Sequence, residues 1–120
     1  MQVKEIVSLL QAEPLLVCND SLMDYEFDYA FATDLMSDAL AMIQTSPEDT
    51  VLITGLCNSQ VLRTAEMLDI ELIIFVRGKM LGEEAMEIAR EMGFNIYRTD
   101  YTMYTACGIL YSLGLRGING

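Results

Sequence analysis

The chain predicts an α/β domain with a three-layer-like build: a mainly parallel, or mixed, sheet of about five strands flanked by helices. Three observations lead there. Short apolar runs at residues 51–54, 72–76 and 95–97 are each followed by a polar hinge and then an amphipathic stretch. Strands alternating with helices of roughly 10–15 residues build βαβ units and a parallel sheet. The length of 120 residues suits one core, which commonly serves about 100–150 residues, so residues 1–120 read as a single domain. The hydrophobic share of 52% exceeds the usual ~45–50%. That excess means strands buried on both faces, or an apolar surface reserved for a partner. In such folds ligands sit outside the carboxyl ends of the strands.

Taken in order, Val3, Ile6, Val7 and Leu10 recur at helical spacing and predict a short first helix. Pro14 and residues 15–18 read as a strand, residues 19–21 as a turn, and residues 27–32 as a second strand. Thr33 or Asp34 would cap a helix with the stripe Met36, Ala39, Leu40 and Ile43, and residues 46–49 would end it. After strand 51–54, Asn58 is a credible cap for a helix bearing Val61, Leu62, Ala65 and Leu68. After strand 72–76, a helix starts near Glu83 with Ala85, Ile88, Ala89 and Met92 inward. The two acids Glu83 and Glu84 suit its first turn, and Gly93 suits its end. Strand 95–97 leads to a last helix, 101–113, that is apolar nearly all round. Such a helix is either deeply buried or covered by something else. The tail 114–120, with three glycines, reads as loose.

Seven basic residues against 18 acidic ones leave a net charge of −11. No stripe of positive charge can form to neutralise phosphates, which argues against DNA, RNA and anionic membranes as partners. No stretch approaches the roughly 18–20 apolar residues of a membrane span. The start, with an acid at Glu5 and no apolar region after it, does not read as a signal peptide. A cytoplasmic location is the expectation. Cys18, Cys57 and Cys107 are odd in number and widely spaced, as reduced thiols would be. Without histidine or a paired-cysteine motif, neither a zinc site nor a Ser-His or Cys-His nucleophile can be assembled. No metal and no cofactor is expected.

The candidate site is the rim at the strand ends. Gly55, Cys57, Asn58 and Ser59 lie in a strand-to-helix loop, where free amides attract anions and a glycine permits close approach. The loop lacks the glycine–lysine pattern of a P-loop, so a capped turn without ligand is the plain alternative. Cys57 sits just before a helix start, a place that stabilises thiolates, yet it has no base or resolving cysteine beside it. Arg77, Lys79 and Arg98 follow or end strands and would gather positive charge at one edge of an acidic protein. An anionic ligand such as a phosphate or nucleotide fits that gathering; salt bridges to Glu83, Glu84 or Asp100 are the competing explanation. Thr33–Asp34 and Thr99–Asp100 read as caps, with a catalytic carboxylate pair as the rarer option. Asp20, Asp24, Glu26 and Asp28 miss the spacing of an EF-hand.

Residues 24–38 resemble the segment that names the DRTGG domain family, ending in an Asp-Leu-Met-Ser-Asp helix start at residues 34–38. Residues 50–54, 58–69, 73–78 and 84–99 are similar to that family's following strands and helices, so the likeness spans nearly the whole chain. Two features depart from it: Tyr29–Ala30 stands in place of the family's Gly-Gly, and Tyr25 in place of its arginine. A rebuilt turn is expected there. The resemblance implies a domain like the N-terminal, non-catalytic domain of HPr kinase/phosphorylase. It also implies the company of CBS domains and phosphotransacetylase-like chains, as a regulatory or assembly module.

Together these readings favour a non-catalytic regulatory or protein-interaction module that senses an anionic small molecule at the strand-end rim. The alternative is a small enzyme of phosphate-ester, acyl or phosphoryl transfer using strand-end carboxylates. Its weakness is that neither the loop after residues 51–54 nor that after 72–76 contains an acid. A receiver-type domain is disfavoured because the chain opens on a helix and has Gly55 at the central position. A homodimer is expected, with Tyr101, Tyr104 and Tyr111 of the last helix at its interface.

Overall fold

The structure is a computed structural model that describes residues 1–43 and 49–118. The helices are α1 (Val3–Leu9), α2 (Met36–Ile43), α3 (Ser59–Met67), α4 (Glu83–Met92) and α5 (Met103–Ser112). The strands are β1 (Glu13–Val17), β2 (Tyr29–Ala32), β3 (Thr50–Thr54), β4 (Leu72–Phe75), β5 (Asn95–Arg98) and β6 (Arg116–Gly117). They form one six-stranded sheet in the order β1-β5-β4-β3-β2-β6. Strand β1 runs antiparallel to β5, and the other pairings are parallel. The predicted α/β class and mainly parallel sheet are what the chain adopts.

The period-2 alternation of a strand sorts its side chains between the layers. Val51 and Ile53 of β3, Leu72 and Ile74 of β4, and Tyr97 of β5 face α1 and α5. Leu52, Ile73, Phe75 and Ile96 face α2, α3 and α4. Strands β3 and β4 are buried on both faces, as parallel strands beneath two helical layers must be. That accounts for part of the apolar excess in the composition.

The handedness of the crossovers decides where the layers fall. From β2 to β5 the chain steps one strand at a time in one direction, leaving α2, α3 and α4 on one face. From β5 it returns across the whole sheet to β6, and the same right-handed turn puts α5 on the opposite face. The loops after β4 and β5 therefore diverge to opposite faces. Their carboxyl ends mark the switch point at which open α/β sheets hold ligands.

Several local expectations are met. Asn58 caps α3, accepting the Val61 N–H at 3.2 Å, and Gly93 ends α4 with φ +82°. Others are corrected. The second strand begins only at Tyr29, because Phe27 turns into the core and the Asp28 backbone is engaged by Asp49 and Arg116. The turn read at residues 19–21 is the start of a short 3-10 helix, Asp20–Asp24. The tail is held through residue 118: Leu115 is buried, and Arg116–Gly117 extends the sheet beside β2. Tyr29 and Ala30 open β2 and pair with Thr50 and Val51, so no turn stands there. The Tyr29 ring also lies under the Arg116 guanidinium, 5.8 Å away. Of the turn read over residues 46–49, all but Asp49 lies outside the described residues.

Candidate functional site

Four parallel strands deliver their carboxyl ends to one rim. In sheet order they bring Arg98–Asp100 after β5, Arg77–Lys79 after β4, Gly55–Ser59 after β3 and Thr33–Asp34 after β2. Because β1 is antiparallel, its first residue, Glu13, arrives at the same rim.

The geometry around β3 and β4 turns on Asp34. Its Oδ1 accepts the Gly55 N–H at 2.7 Å and the Thr54 hydroxyl at 3.3 Å. The Leu56 N–H in turn donates to Thr54 Oγ1 at 3.1 Å. The other carboxylate oxygen, Oδ2, stands 4.0 Å from Arg77 Nη2. Asp34 thus joins two neighbouring strand ends and is not the cap of α2. The Thr33 hydroxyl accepts the Leu35 N–H at 3.0 Å instead, just ahead of that helix.

Arg77 is held in an unusual way. Its φ is +60° and that of Gly78 is +64°, and the Lys79 N–H donates back to Val76 O at 3.3 Å. Two consecutive positive φ values closed by such a bond make a turn of the I′ kind, where asparagine or glycine is the ordinary occupant. An arginine in this left-handed conformation costs about 1–2 kcal/mol. The result is a guanidinium laid across Gly55: a Cβ added there would meet Arg77 Nη2 at 2.5 Å. Gly55 is the residue type that this close approach requires. The loops after β4 and β5 are stitched together where they diverge, with Arg77 N–H to Tyr101 O and Gly78 N–H to Thr99 O, both 2.8 Å.

The three basic residues share the rim on unequal terms. Arg98 is committed to Glu13 (Nη2 to Oε2, 3.0 Å) and reaches Gly78 O at 3.5 Å. Its salt bridge is therefore with Glu13, not with the acids expected from sequence. Arg77 has the long contact to Asp34 between two half-exposed side chains, worth about 0–1 kcal/mol. Lys79 is exposed and has no ion pair among the described residues.

Thr99 is not open to a ligand. It is 1% exposed, donates its hydroxyl to Leu10 O at 2.6 Å and accepts the Tyr101 N–H at 3.3 Å. The cap of α5 is Thr102, which accepts the Thr105 N–H at 3.4 Å. Asp100 is exposed and Ser59 half-buried. The thiol of Cys57 is pushed up to about 11, because burial outweighs the lowering effects of Lys79 and Arg77. The cysteine before a helix start is thus a protonated thiol, not a thiolate. Strands β2 and β5 lie three spacings apart in the sheet, or about 14 Å at ~4.8 Å each. Both carboxylates nevertheless reach toward the turn after β4: a Cβ added at Gly78 would meet Asp100 Oδ1 at 2.9 Å, and Asp34 Oδ2 stands 4.0 Å from Arg77 Nη2. No cluster of metal-ligating side chains occurs among the described residues.

Neither described concavity is lined by these basic residues. One of about 620 Å³ lies at the opposite, amino-terminal end of the parallel strands and includes Tyr25, Asp49, Asp69 and Glu71, with no basic residue in its wall. A second lies along Glu83–Arg90 of α4. Arg77, Lys79 and Asp100 stand exposed at the rim, which forms an open shelf outside the strand ends.

On α5, Ala106 and Leu110 are buried against the core, while Tyr104 (89% exposed), Tyr111 (63%) and, just past the helix end, Leu113 (58%) point away. Tyr101 is half-buried and packs on the core. Of the surface expected from sequence, Tyr104 and Tyr111 are therefore its exposed part. Sequence reasoning missed Glu13, since nothing local reveals that the first strand is antiparallel. It also missed the exposed Leu35 and Met80, which are placed in the loops that flank the shelf.

The fold and rim define a small, three-layer α/β domain with an open, charged strand-end shelf. No family model matches the chain, and no curated protein matches it. Among solved structures it resembles the crystal structure of the CBS and DRTGG domains of the regulatory region of Clostridium perfringens pyrophosphatase, complexed with the activator diadenosine tetraphosphate. The TM-score is 0.68 at 16% identity, over 91% of this chain and 45% of that one. The chain thus spans about half the length of that structure, and the likeness is one of fold. No helix among the described residues is long and apolar enough to cross a membrane.

Proposed function

We propose that this domain is a non-catalytic regulatory module that senses a phosphate-bearing small molecule at the strand-end shelf and acts as a homodimer. The observation that carries this reading is Arg77, held in a costly left-handed conformation across Gly55, with Lys79 beside it. Strain of that kind persists where surrounding structure over-determines it, and it concentrates at ligand sites. The family resemblance read from residues 24–38 supports a regulatory role. A fold shared with a regulatory region that was crystallised with a nucleotide activator makes nucleotides the first ligands to try.

The test is a thermal-shift series with AMP, ADP, ATP and inorganic phosphate at low ionic strength. A ligand at about 100 times its dissociation constant adds roughly 2.7 kcal/mol, which raises Tm by several degrees in a domain of this size. Arg77→Ala and Lys79→Ala should each weaken that shift. No shift with any of the four, or one indifferent to both substitutions, overturns the reading.

A further inference from the structure

We infer that Asp34 is a built-in competitor for the shelf, so that the site admits a multiply charged phosphoryl group and rejects simple carboxylates. This rests on the shelf being an anion site. The Asp34 carboxylate already occupies the position an incoming anion would take: one oxygen on the Gly55 amide and the Thr54 hydroxyl, the other facing the Arg77 guanidinium. Its grip is uneven. The Gly55 bond is short at 2.7 Å, whereas the Arg77 contact is 4.0 Å long and half-exposed.

A ligand that displaces Asp34 from Arg77 must offer more than a second carboxylate would. A phosphoryl dianion does so, since its oxygens can take the guanidinium in a bidentate grip while drawing in Lys79. A monocarboxylate gains nothing over the carboxylate already in place and suffers repulsion from it. Displacement also has a structural consequence. Asp34 lies between Thr33, whose hydroxyl holds the Leu35 N–H, and the first turn of α2. Freeing its carboxylate removes the side-chain tie from Asp34 to the Gly55 N–H and Thr54 hydroxyl, while the Thr33 N–H stays on Ile53 O at 3.0 Å, so occupancy of the shelf is transmitted through residue 34 to the start of α2.

The experiment is calorimetric titration of the full chain with ADP, with sodium acetate as competitor, for wild type, Asp34→Asn, Asp34→Ser and Arg77→Ala. Asparagine keeps the acceptor for Gly55 and Thr54 and removes only the charge. Losing one like charge a few ångströms from the phosphates should tighten ADP binding about three- to tenfold, with Asp34→Ser moving the same way. Acetate at tens of millimolar should not compete on the wild type. Amide spectra should show ADP shifting Gly55, Leu35 and Met36 together. If Asp34→Asn and Asp34→Ser bind ADP no tighter than wild type while Arg77→Ala abolishes binding, the competitor role is overturned and the shelf stands. If acetate competes as well as phosphate, the claimed selectivity is overturned. If no variant binds ADP and inorganic phosphate also fails, the shelf itself falls, and this inference with it.

Discussion

Cys57 shows how burial and charge oppose each other at a single residue. Lys79 and Arg77 favour its thiolate, yet desolvation dominates and carries the thiol from its ordinary 9.0 to about 11. Burial raises the Cys107 thiol and the Tyr97 hydroxyl as well. At pH 8 the Cys57 thiol is held protonated. Limited alkylation with iodoacetamide should therefore label exposed Cys18 well before Cys57, and rapid labelling of Cys57 would contradict the burial argument. The same shift sets a sign for stability. A thiol whose pKa is raised on folding contributes fully below 9 and loses that contribution as pH rises toward 11. Urea unfolding should show stability falling through that window, and Cys57→Ser should flatten the fall. The residue scale is also where sequence reading was least able to see. Thr99 and Asp34 look alike in sequence, each a polar residue just past a strand. One is spent inside on Leu10, the other on a neighbouring strand end, and only the three-dimensional pairing separates them.

At the scale of elements, the signals that proved legible were local ones. The apolar runs of β3 and β4, the Asn58 cap and the Gly93 stop each depend on residues within a turn of one another. What could not be read depends on partners far along the chain. The direction of β1 is set by β5, some 80 residues away, and that pairing alone brings Glu13 to Arg98. The last strand was invisible because two residues of sheet, one of them Gly117, have no pattern of their own; it forms because Leu115 is drawn into the core and the Arg116 N–H finds Asp28 O. Leu115→Ala should consequently act as a core substitution. A loss of about 2–5 kcal/mol in chemical denaturation is expected, with earlier hydrogen exchange along β2, the strand that β6 covers. A loss under about 0.5 kcal/mol would show instead that the tail is peripheral to the fold.

For the molecule as a whole, the question is what becomes of the apolar surface that one core cannot cover. The helical layers account for the buried strands, yet Tyr104 and Tyr111 of α5 and Leu113 at its end remain exposed. Tyr104 and Tyr111 are seven residues apart, two helical turns, and so share one stripe. Gly108 lies between them, and a Cβ added there would meet nothing within 4 Å, which leaves room for another backbone to come close. Covering a large apolar side chain is worth about 1.5–3 kcal/mol, and two-fold pairing is the commonest closed assembly. Against it stands the repulsion between two chains of net charge −11 each, a term that salt screens. The dimer should accordingly strengthen as salt rises. Light scattering on a sizing column, at tens of micromolar, should give twice the chain mass of 13.5 kDa, with the dimer fraction growing on added sodium chloride. Tyr104→Glu and Tyr111→Glu should return the monomer while leaving Tm within a few degrees, because neither ring is part of the core. A monomeric mass at low and high salt alike would leave the α5 stripe without this role.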